Sequence, residues 1–257
     1  MSSPRVAEFA RRLDEAARLA TAVPQFTGAD SFDLDDAYAI QRASVARRVA
    51  RGERPAGIKM GFTSRAKALQ MGVADVICGR LTDAMLVEDG GRVRMGRYVH
   101  PRVEPEVAFL LKRGIAGRLS PLQALDAVEA VAPALEIIDS RYENFRFSLT
   151  DVVADNSSSS SFVVGAWNRP DADLANLGLV MSFDGRIEAT GSTAAILGHP
   201  LRSLVAAARF AAERDFELAA GSIVLAGGAT AASPLRAGLH VAVEIQCLGR
   251  AAFTVEG

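Results

Sequence analysis

The chain has 257 residues, 49% of them hydrophobic, which is enough for one large domain or two small ones with a substantial core. Lysine and arginine number 29 against 30 aspartates and glutamates, so the formal net charge is −1. This balance argues against a nucleic-acid-binding protein, which would carry a basic face, and it gives no sign of attraction to an anionic membrane.

The lack of a recognisable targeting signal and the cysteine usage favour the cytoplasm. No apolar run approaches the length of about 18 residues expected for a transmembrane helix. The N-terminal residues 1–20 are amphipathic and lack the unbroken apolar stretch of a signal peptide. The two cysteines, Cys78 and Cys247, are far apart in the sequence, and a chain of this size does not need a bridge between them. We therefore expect a cytoplasmic protein with two free thiols.

The N-terminal part of the chain has the periodicity of helices. Apolar residues recur at helical spacing over residues 4–22, and a second amphipathic helix is predicted within residues 31–52. A short strand bounded by glycines follows over residues 57–62, and a short helix is predicted over residues 63–71. Residues 1–72 are thus predicted to form an α-rich N-terminal segment.

After this segment, short apolar runs separated by Gly, Asp and Pro are typical of strands. The predicted strands are 92–98, 103–111, 134–139, 161–165, 179–183, 186–190, 222–226, 240–246 and 251–255. The predicted helices among them are 121–131, 148–154 and 201–214. Residues 73–257 therefore form a predicted strand-rich body, which makes one compact α+β unit with the N-terminal segment.

A Glu-x-Glu pair lies on the predicted strand 103–111. Since side chains alternate between the two faces of a strand, Glu104 and Glu106 point the same way. The side chains predicted to face the core instead are Val103, Val107, Phe109 and Leu111. Two adjacent carboxylates repel each other unless a cation lies between them, and oxygen ligands suit Mg²⁺ or Mn²⁺. The alternative is a solvated strand face with two ordinary glutamates. Because Pro105 has no N–H to donate, the proline predicts that this stretch is a sheet edge or a bulge.

A third carboxylate is predicted to lie in an apolar strand. Glu136 belongs to the run 134–139, where an ionised side chain is costly unless it is paired or bound to a metal. It is a candidate third ligand, and the alternative is an ion pair with an arginine. Asp139 points the other way and is a candidate partner for Arg141.

Two further charged residues are candidates for the chemistry. Lys59 lies in a Gly-Ile-Lys-Met-Gly run, where a partly buried lysine can hold a substrate carboxylate or act as an acid or base. The alternative is a surface lysine whose stem alone is covered. Asp83 is a weaker catalytic candidate, for which a turn or capping aspartate is the simpler interpretation.

Polar loop residues complete the candidates. Asn156 and the serines that follow it can hydrogen-bond a substrate or end a helix. The glycines at 227 and 228 permit close backbone approach, and Thr230 offers a hydroxyl. These glycines are not a phosphate loop, because no Gly-Lys-Ser/Thr follows them. The three histidines are scattered and Gly-x-Ser-x-Gly is absent, which weakens zinc-hydrolase and serine-hydrolase interpretations.

Four ordered motifs resemble one branch of the fumarylacetoacetate hydrolase superfamily. They are GIKMGFTSRAKALQMG (57–72), RVEPEVAF (102–109), ALEIIDSR (134–141) and VVADNSSSSSFVVG (152–165), followed by a late Gly-Gly-Ala-Thr. This branch contains the 2-hydroxypentadienoate hydratases and the 4-oxalocrotonate decarboxylases of aromatic meta-cleavage pathways. The resemblance covers nearly the whole chain. It implies a highly curved, roll-like mixed sheet around a metal, preceded by a helical segment.

The resemblance also implies a particular site. In the family, two glutamates of a Glu-x-Glu strand and a third from a later strand bind Mg²⁺ or Mn²⁺, which correspond to Glu104, Glu106 and Glu136. The lysine of the Lys-x-Gly motif corresponds to Lys59, and the threonine after the late glycines corresponds to Thr230. The His–Glu pair with which the superfamily's hydrolases activate water has no counterpart that the sequence identifies, which argues against a diketone hydrolase.

The activity implied is magnesium-dependent decarboxylation of 4-oxalocrotonate to 2-hydroxypenta-2,4-dienoate and CO₂. The alternative is the hydratase of 2-hydroxypenta-2,4-dienoate, which needs a polar group such as Asp83 to place water. The segments 63–72 and 141–147 are more similar to the decarboxylases. A second alternative is a relative that binds a small acid without turnover. The family further implies a homo-oligomer that associates with a partner hydratase.

Overall fold

A computed structural model of the protein describes residues 3–64, 75–214 and 216–257. The helices in these ranges are α1 (Pro4–Leu19), α2 (Leu34–Ala50), α3 (Pro121–Leu125), α4 (Leu149–Ala154) and α5 (Leu201–Glu213). The first strands are β1 (Pro55–Gly61), β2 (Ile77–Thr82), β3 (Leu86–Val87), β4 (Arg92–Arg94), β5 (Arg102–Leu111), β6 (Val128–Ile138) and β7 (Ser159–Val164). The others are β8 (Gly178–Phe183), β9 (Arg186–Ser192), β10 (Ile223–Leu225), β11 (Ser233–Pro234), β12 (His240–Ile245) and β13 (Gly249–Glu256).

The first two helices form where the sequence predicts them. The Ser3 hydroxyl caps α1 by accepting a hydrogen bond from the N–H of Val6, and the helix ends at Ala20 in the left-handed conformation. Its apolar face is buried, with Phe9 and Leu13 nearly inaccessible. Most of the predicted helix over 63–71, and the predicted division of the chain at residue 72, lie outside the described residues.

The strands form two sheets, as an α+β chain predicts. The larger sheet has the order β2-β1-β10-β5-β6-β7-β3, with β11 also paired to β5, and the smaller has the order β4-β13-β12-β8-β9. Pairing is mixed, since β1/β10, β3/β7 and β4/β13 are parallel and their neighbours are antiparallel. The larger sheet curls into a half-barrel, so the predicted curved roll is confirmed. None of the described helices is both long and apolar enough to cross a bilayer.

Strand β5 runs through the middle of the larger sheet, which corrects the expectation of a sheet edge or bulge at Pro105. β6 pairs with one side of β5, while β10 and β11 pair with different parts of the other side. Pro105 lies between the residues that pair with β10 and those that pair with β11. On that side its carbonyl accepts a hydrogen bond from the N–H of Ala229. The proline therefore interrupts no ladder, although its strand is interior.

Two predicted elements end well before their predicted ends, and β6 begins at Val128, before the strand predicted over 134–139. The helix predicted over 121–131 ends at Leu125, because β6 begins at Val128 and pairs with β5. Its start is correct, with Ser120 as the cap and Pro121 in the first turn. The strand predicted over 92–98 ends at Arg94 and continues as a single 3₁₀ turn. In both cases a long-range strand partner, which a local pattern does not contain, sets the boundary.

Candidate metal centre and substrate cavity

Three glutamates meet on one face of the larger sheet. Glu104 on β5 lies directly opposite Glu136 on β6, and Glu106 lies two residues further along the same face of β5. One carboxylate oxygen from each lies within 4.8 Å of the others. All three side chains are buried: Glu104 is 7% exposed, and Glu106 and Glu136 are both 0% exposed. The strand alternation thus places them as the sequence predicts, and the alternative of a solvated strand face does not hold.

Burial of these carboxylates is only partly compensated by the contacts of Glu106 and Glu136. Burial raises the pKa of Glu106 well above its usual value, and the charges of Glu136 and Glu104 raise it further. Burial also raises the pKa of Glu136, although Lys59 opposes this shift. One oxygen of Glu106 and one of Glu136, the Oε1 atoms, accept no hydrogen bond from any residue that the structure describes. Unsatisfied buried carboxylate oxygens facing one another fit a hard divalent cation.

Lys59 lies at the edge of this group. Its side chain is buried, and its Nζ is 2.9 Å from Oε2 of Glu136. Burial disfavours the ammonium form, but the carboxylates of Glu136, Glu104 and Glu106 outweigh it and raise the pKa of Lys59. Lys59 is therefore a buried cation, which excludes the surface-lysine alternative, and the ion pair considered for Glu136 forms with a lysine instead of an arginine.

The late glycines permit the close approach that the sequence suggested. The Gly227 N–H donates a 2.6 Å hydrogen bond to Oε2 of Glu106, and its φ of +105° favours glycine. A Cβ on Gly228 would lie 2.3 Å from Oε2 of Glu104. The loop after β10 thus packs directly against two of the three carboxylates.

We expect Gly228→Ala to weaken metal binding. The added methyl group overlaps the Glu104 carboxylate, which must move away from the other two, and disturbing the surroundings of a metal ligand costs roughly 10–100-fold in affinity. Gly96→Ala is the matched control, because a Cβ there meets no atom within 4 Å. Calorimetric titration with Mn²⁺ measures both variants. Equal affinities would argue against Glu104 as a ligand.

A cavity of about 360 Å³ opens beside the carboxylates. The polar residues of its lining are Lys59, Arg102, Glu104, Thr63, Ser64, Ser157 and Ser158. Its apolar lining consists of Phe62, Ile77, Ile138, Phe145, Phe147 and Val152, with small residues of the late loop. The space is concave and largely apolar with a few convergent charges, as expected for a small-molecule site.

Part of this lining is a strained turn. Asn156, Ser157 and Ser158 have φ angles of 51°, 52° and 58°, and three successive residues other than glycine in the left-handed region are costly. The Asn156 amide holds the turn by bonding both the N–H and the carbonyl of Arg80. The Ser157 hydroxyl donates to the carbonyl of Cys78. Asn156, predicted to bind substrate, thus has both side-chain polar atoms engaged with the backbone.

Of the residues in this turn, Ser158 is the best candidate for binding a substrate. Its hydroxyl is buried, lines the cavity and has no hydrogen-bond partner among the described residues. The sequence pointed to the serines after Asn156, but a left-handed turn formed without glycine has no local sequence signal.

Asp83 and Thr230 are not among the described residues that line the cavity. The carboxylate of Asp83 accepts 2.8 Å hydrogen bonds from the backbone N–H and the Nε of Arg54, as a turn aspartate would. The Thr230 hydroxyl donates to the carbonyl of Ala231. Catalysis by Asp83 and substrate binding by Thr230 stay predictions.

Sequence reasoning did not single out Arg102 and Phe145. The Arg102 guanidinium stacks 4.2 Å from the centre of the Phe145 ring, and both residues line the cavity. Arg102 adjoins the Glu-x-Glu pair, and Phe145 lies in a segment noted for its resemblance, but neither position carries a pattern that assigns it a role.

Both cysteines are free, as predicted: Cys78 is buried and Cys247 is exposed. Burial raises the pKa of the Cys78 thiol to about 12. A thiol with such a pKa is protonated and unreactive at neutral pH, so Cys78 is structural.

Comparisons with known proteins agree with this geometry. Residues 57–256 match the family described as "Fumarylacetoacetate (FAA) hydrolase C-terminal". A "4-oxalocrotonate decarboxylase" of Pseudomonas sp is 57% identical over 253 residues, which cover 98% of this chain and 99% of the relative. A "2-keto-4-pentenoate hydratase 1" of Dechloromonas aromatica (strain RCB) is 37% identical over 222 residues, 84% of each chain.

A solved structure is similar over the whole length. It is described as "4-oxalocrotonate decarboxylase from Pseudomonas putida G7 - complexed with magnesium and adipate". It matches with a TM-score of 0.95 at 36% identity and covers 99% of this chain and 98% of its own. The predicted family is confirmed: the chain belongs to the fumarylacetoacetate hydrolase family.

Proposed function

We propose that this chain decarboxylates 4-oxalocrotonate (2-oxohex-3-enedioate) to 2-hydroxypenta-2,4-dienoate and CO₂, with Mg²⁺ or Mn²⁺ bound by Glu104, Glu106 and Glu136. The observation that carries the proposal is the group of three buried carboxylates, with oxygens within 4.8 Å of one another, at the wall of a largely apolar cavity. The 57% identical relative bears the same activity in its name. The solved relative holds magnesium and adipate, a six-carbon dicarboxylate of the same chain length as 4-oxalocrotonate.

The three glutamates leave room for a substrate. Mg²⁺ prefers six oxygen ligands, so three carboxylates would leave positions for substrate and water. When bound, the cation supplies Lewis-acid stabilisation of negative charge on the 2-oxo group. The carboxylates fix where that charge is stabilised, since they project from two paired strands of a rigid sheet.

Lys59 is proposed to bind and stabilise the substrate beside the glutamates. Its ammonium group is buried and lies beside Glu136, so it is a fixed positive charge at the wall of the cavity. We assign it to positioning the substrate's oxo-acid end and to offsetting the negative charge that develops there as CO₂ leaves. Preorganised charges of this kind act in a site from which water is excluded, where they stabilise a transition state most strongly.

The apolar walls suit the loss of a neutral product. Ile77, Phe147 and Val152 contribute apolar side chains to the cavity lining. A carboxylate is poorly solvated by such walls, whereas CO₂ is uncharged, so the surroundings favour the departure of CO₂. The Arg102 guanidinium also lines the cavity, and a carboxylate close to it would be stabilised instead.

Hydration of 2-hydroxypenta-2,4-dienoate is the second candidate, because a hydratase is among the relatives at 37% identity. Hydration needs a polar group that places water and donates a proton. The sequence offered Asp83 for this role, but Asp83 is not among the described residues that line the cavity and is held by Arg54. Decarboxylation is favoured because the relative that bears this activity in its name is 57% identical and the hydratase 37% identical. A binding-only relative is disfavoured because all three expected ligands are present and grouped.

The test is CO₂ release from 4-oxalocrotonate by the purified protein, first with Mg²⁺ and then with excess chelator. We expect CO₂ release that stops when the chelator is added and returns with Mg²⁺. The same samples are then given 2-hydroxypenta-2,4-dienoate. Metal-dependent loss of its absorbance without CO₂ release from 4-oxalocrotonate would identify a hydratase, and inactivity on both substrates would contradict both candidates.

The proposed assembly rests on the family resemblance, and the proposed cellular location rests on the sequence features given above. We propose a homo-oligomer that works in the cytoplasm and associates with a partner hydratase, which would consume the dienol product. Size-exclusion chromatography with light scattering, run on the protein alone and mixed with the hydratase, tests both associations. A monomer that elutes separately from the hydratase would contradict them.

A further inference from the structure

A second cavity lies apart from the metal centre and has an unusual concentration of arginines. It has a volume of about 290 Å³ and shares no lining residue with the cavity beside the glutamates. The ends of α1 and α2 meet the turns after β2 and β4 there, and β7 closes one side. The five arginines that line it are Arg18, Arg48, Arg51, Arg97 and Arg141. We call this space the arginine cavity.

The acidic residues of the arginine cavity already have partners. Asp14 forms a two-pronged ion pair with Arg51, with distances of 2.7 and 2.6 Å, and a third contact of 2.9 Å with Arg47. Asp139 accepts hydrogen bonds from two backbone N–H groups, not from Arg141 as the sequence suggested. Glu53 accepts a hydrogen bond from a threonine hydroxyl. These carboxylates are therefore engaged, and the lining keeps an excess of positive charge.

Arg48 is the source of this excess positive charge. Its guanidinium forms no hydrogen bond or ion pair with any residue in the described part of the chain. Burial lowers the pKa of Arg48 and the neighbouring charge of Arg141 lowers it further, while the carboxylates of Glu53, Asp14 and Asp155 raise it in part. Those carboxylates are bonded to other groups, so a bound oxyanion would supply the direct partner that the half-buried Arg48 guanidinium lacks among the described residues.

Arg141 and nearby hydroxyls complete a fixed set of donors. Arg141 is 1% exposed, and its Nε and Nη2 donate to the side chain and carbonyl of Asp155. Its Nη1 donates to the Ser160 hydroxyl at 2.6 Å. The hydroxyls of Tyr98 and Ser161 are 2.8 Å apart at the same cavity. Guanidinium forks with hydroxyls beside them are the usual means of binding phosphate or carboxylate oxygens.

We propose that the arginine cavity binds a small oxyanion, with Arg48 as its principal ligand. The group bound is a phosphate or a carboxylate, which can come from a free ion or from an acidic side chain of a second copy of this chain. The volume of about 290 Å³ accommodates either source. The site is separate from the proposed decarboxylase site and does not depend on that assignment.

Calorimetric titration of the magnesium-loaded protein with inorganic phosphate tests the proposal. We expect the wild-type protein to bind phosphate, with an affinity that falls as salt is added. Arg48→Gln should weaken the binding by about tenfold or more, since one charge-assisted hydrogen bond contributes about 1.5–3 kcal/mol. Arg42→Gln, on the exposed face of the same helix, is the matched control and should bind as the wild type does. Metal-dependent CO₂ release should be equal in all three.

Three further measurements test the proposal. Thermal unfolding establishes that Arg48→Gln folds, and Arg97→Gln at the exposed rim provides a second variant for phosphate titration. Light scattering across a range of protein concentrations detects self-association, which is the other source of the anion. If the protein self-associates without binding phosphate, and Arg48→Gln weakens this association, the cavity binds an acidic side chain of a second copy. Phosphate binding that is equal in wild type, Arg48→Gln and Arg97→Gln would overturn the proposal. The absence of both phosphate binding and an Arg48-dependent association would overturn it as well.

Discussion

Glu106→Gln should abolish metal binding and CO₂ release while leaving the fold intact. Glu106 is fully buried, and its Oε1 has no hydrogen-bond partner among the described residues, so this oxygen is available to bind a cation. Glutamine has the same shape and can still accept the hydrogen bond from the Gly227 N–H, but it brings no negative charge. Calorimetric titration with Mn²⁺ and the CO₂ assay measure the two losses.

The stability of the metal-free protein provides an independent check of the same residue. A raised pKa in the folded state means that Glu106 is stabilising at low pH and that this contribution is lost as the pH rises through its raised pKa. Metal-free wild type should therefore lose stability relative to metal-free Glu106→Gln as the pH rises, and Mg²⁺ should restore it in the wild type alone. Glu129→Gln, at an exposed position of β6, is the control. Unchanged metal affinity in Glu106→Gln would remove this residue from the ligands.

Lys59→Met should reduce turnover without weakening metal binding. The variant keeps most of the buried volume but removes the cation that lies 2.9 Å from Glu136. Removing one preorganised stabilising group costs roughly 10²–10³ in turnover. Metal affinity should be unchanged or tighter, because three carboxylates without the ammonium group attract a divalent cation at least as strongly.

The comparison that isolates this effect is Lys112→Met, which removes an exposed lysine just beyond β5. It should leave both turnover and Mn²⁺ affinity at wild-type values. Turnover in Lys59→Met equal to that in Lys112→Met would show that Lys59 has no part in the reaction. A loss of metal affinity in Lys59→Met as large as its loss of turnover would indicate a role in assembling the metal centre instead.

The metal centre was the most predictable part of the molecule. Alternation along β5 places Glu104 and Glu106 on one face whatever the rest of the fold is. The cost of burying Glu136 in an apolar strand then required a partner, and the family resemblance joined the three. That Glu104 and Glu136 lie directly opposite each other depends on the register of β5 and β6, which is set by long-range pairing and has no local pattern.

The order of the strands was beyond local patterns for the same reason. β10 lies between β1 and β5, although more than 100 residues separate it from either in the sequence. This crossover is what leaves space for Pro105 inside the sheet and brings Gly227 and Gly228 against the glutamates. The error over residues 121–131 has a related cause, because the apolar run that begins at Val128 suits a helix or a buried strand equally well until its partner is known.

Polar partners were the least predictable feature. The sequence suggested Asp139 as the ion-pair partner of Arg141, because the two are near neighbours. In the structure Arg141 pairs with Asp155 instead. Asp83 is engaged with Arg54, which lies 29 residues away. Sequence spacing identifies such pairs within one helix, where neighbours three and four residues apart meet, but not between loops that the fold brings together.

The measurement that most directly tests the metal centre is anomalous diffraction from crystals of the active protein loaded with Mn²⁺. We predict one strong anomalous peak bonded to carboxylate oxygens of Glu104, Glu106 and Glu136, at about 2.0–2.3 Å. The same preparation should release CO₂ from 4-oxalocrotonate. An active preparation whose peak lies elsewhere, or that has no peak between these three side chains, would contradict the assignment of the buried glutamates as the metal site of a decarboxylase.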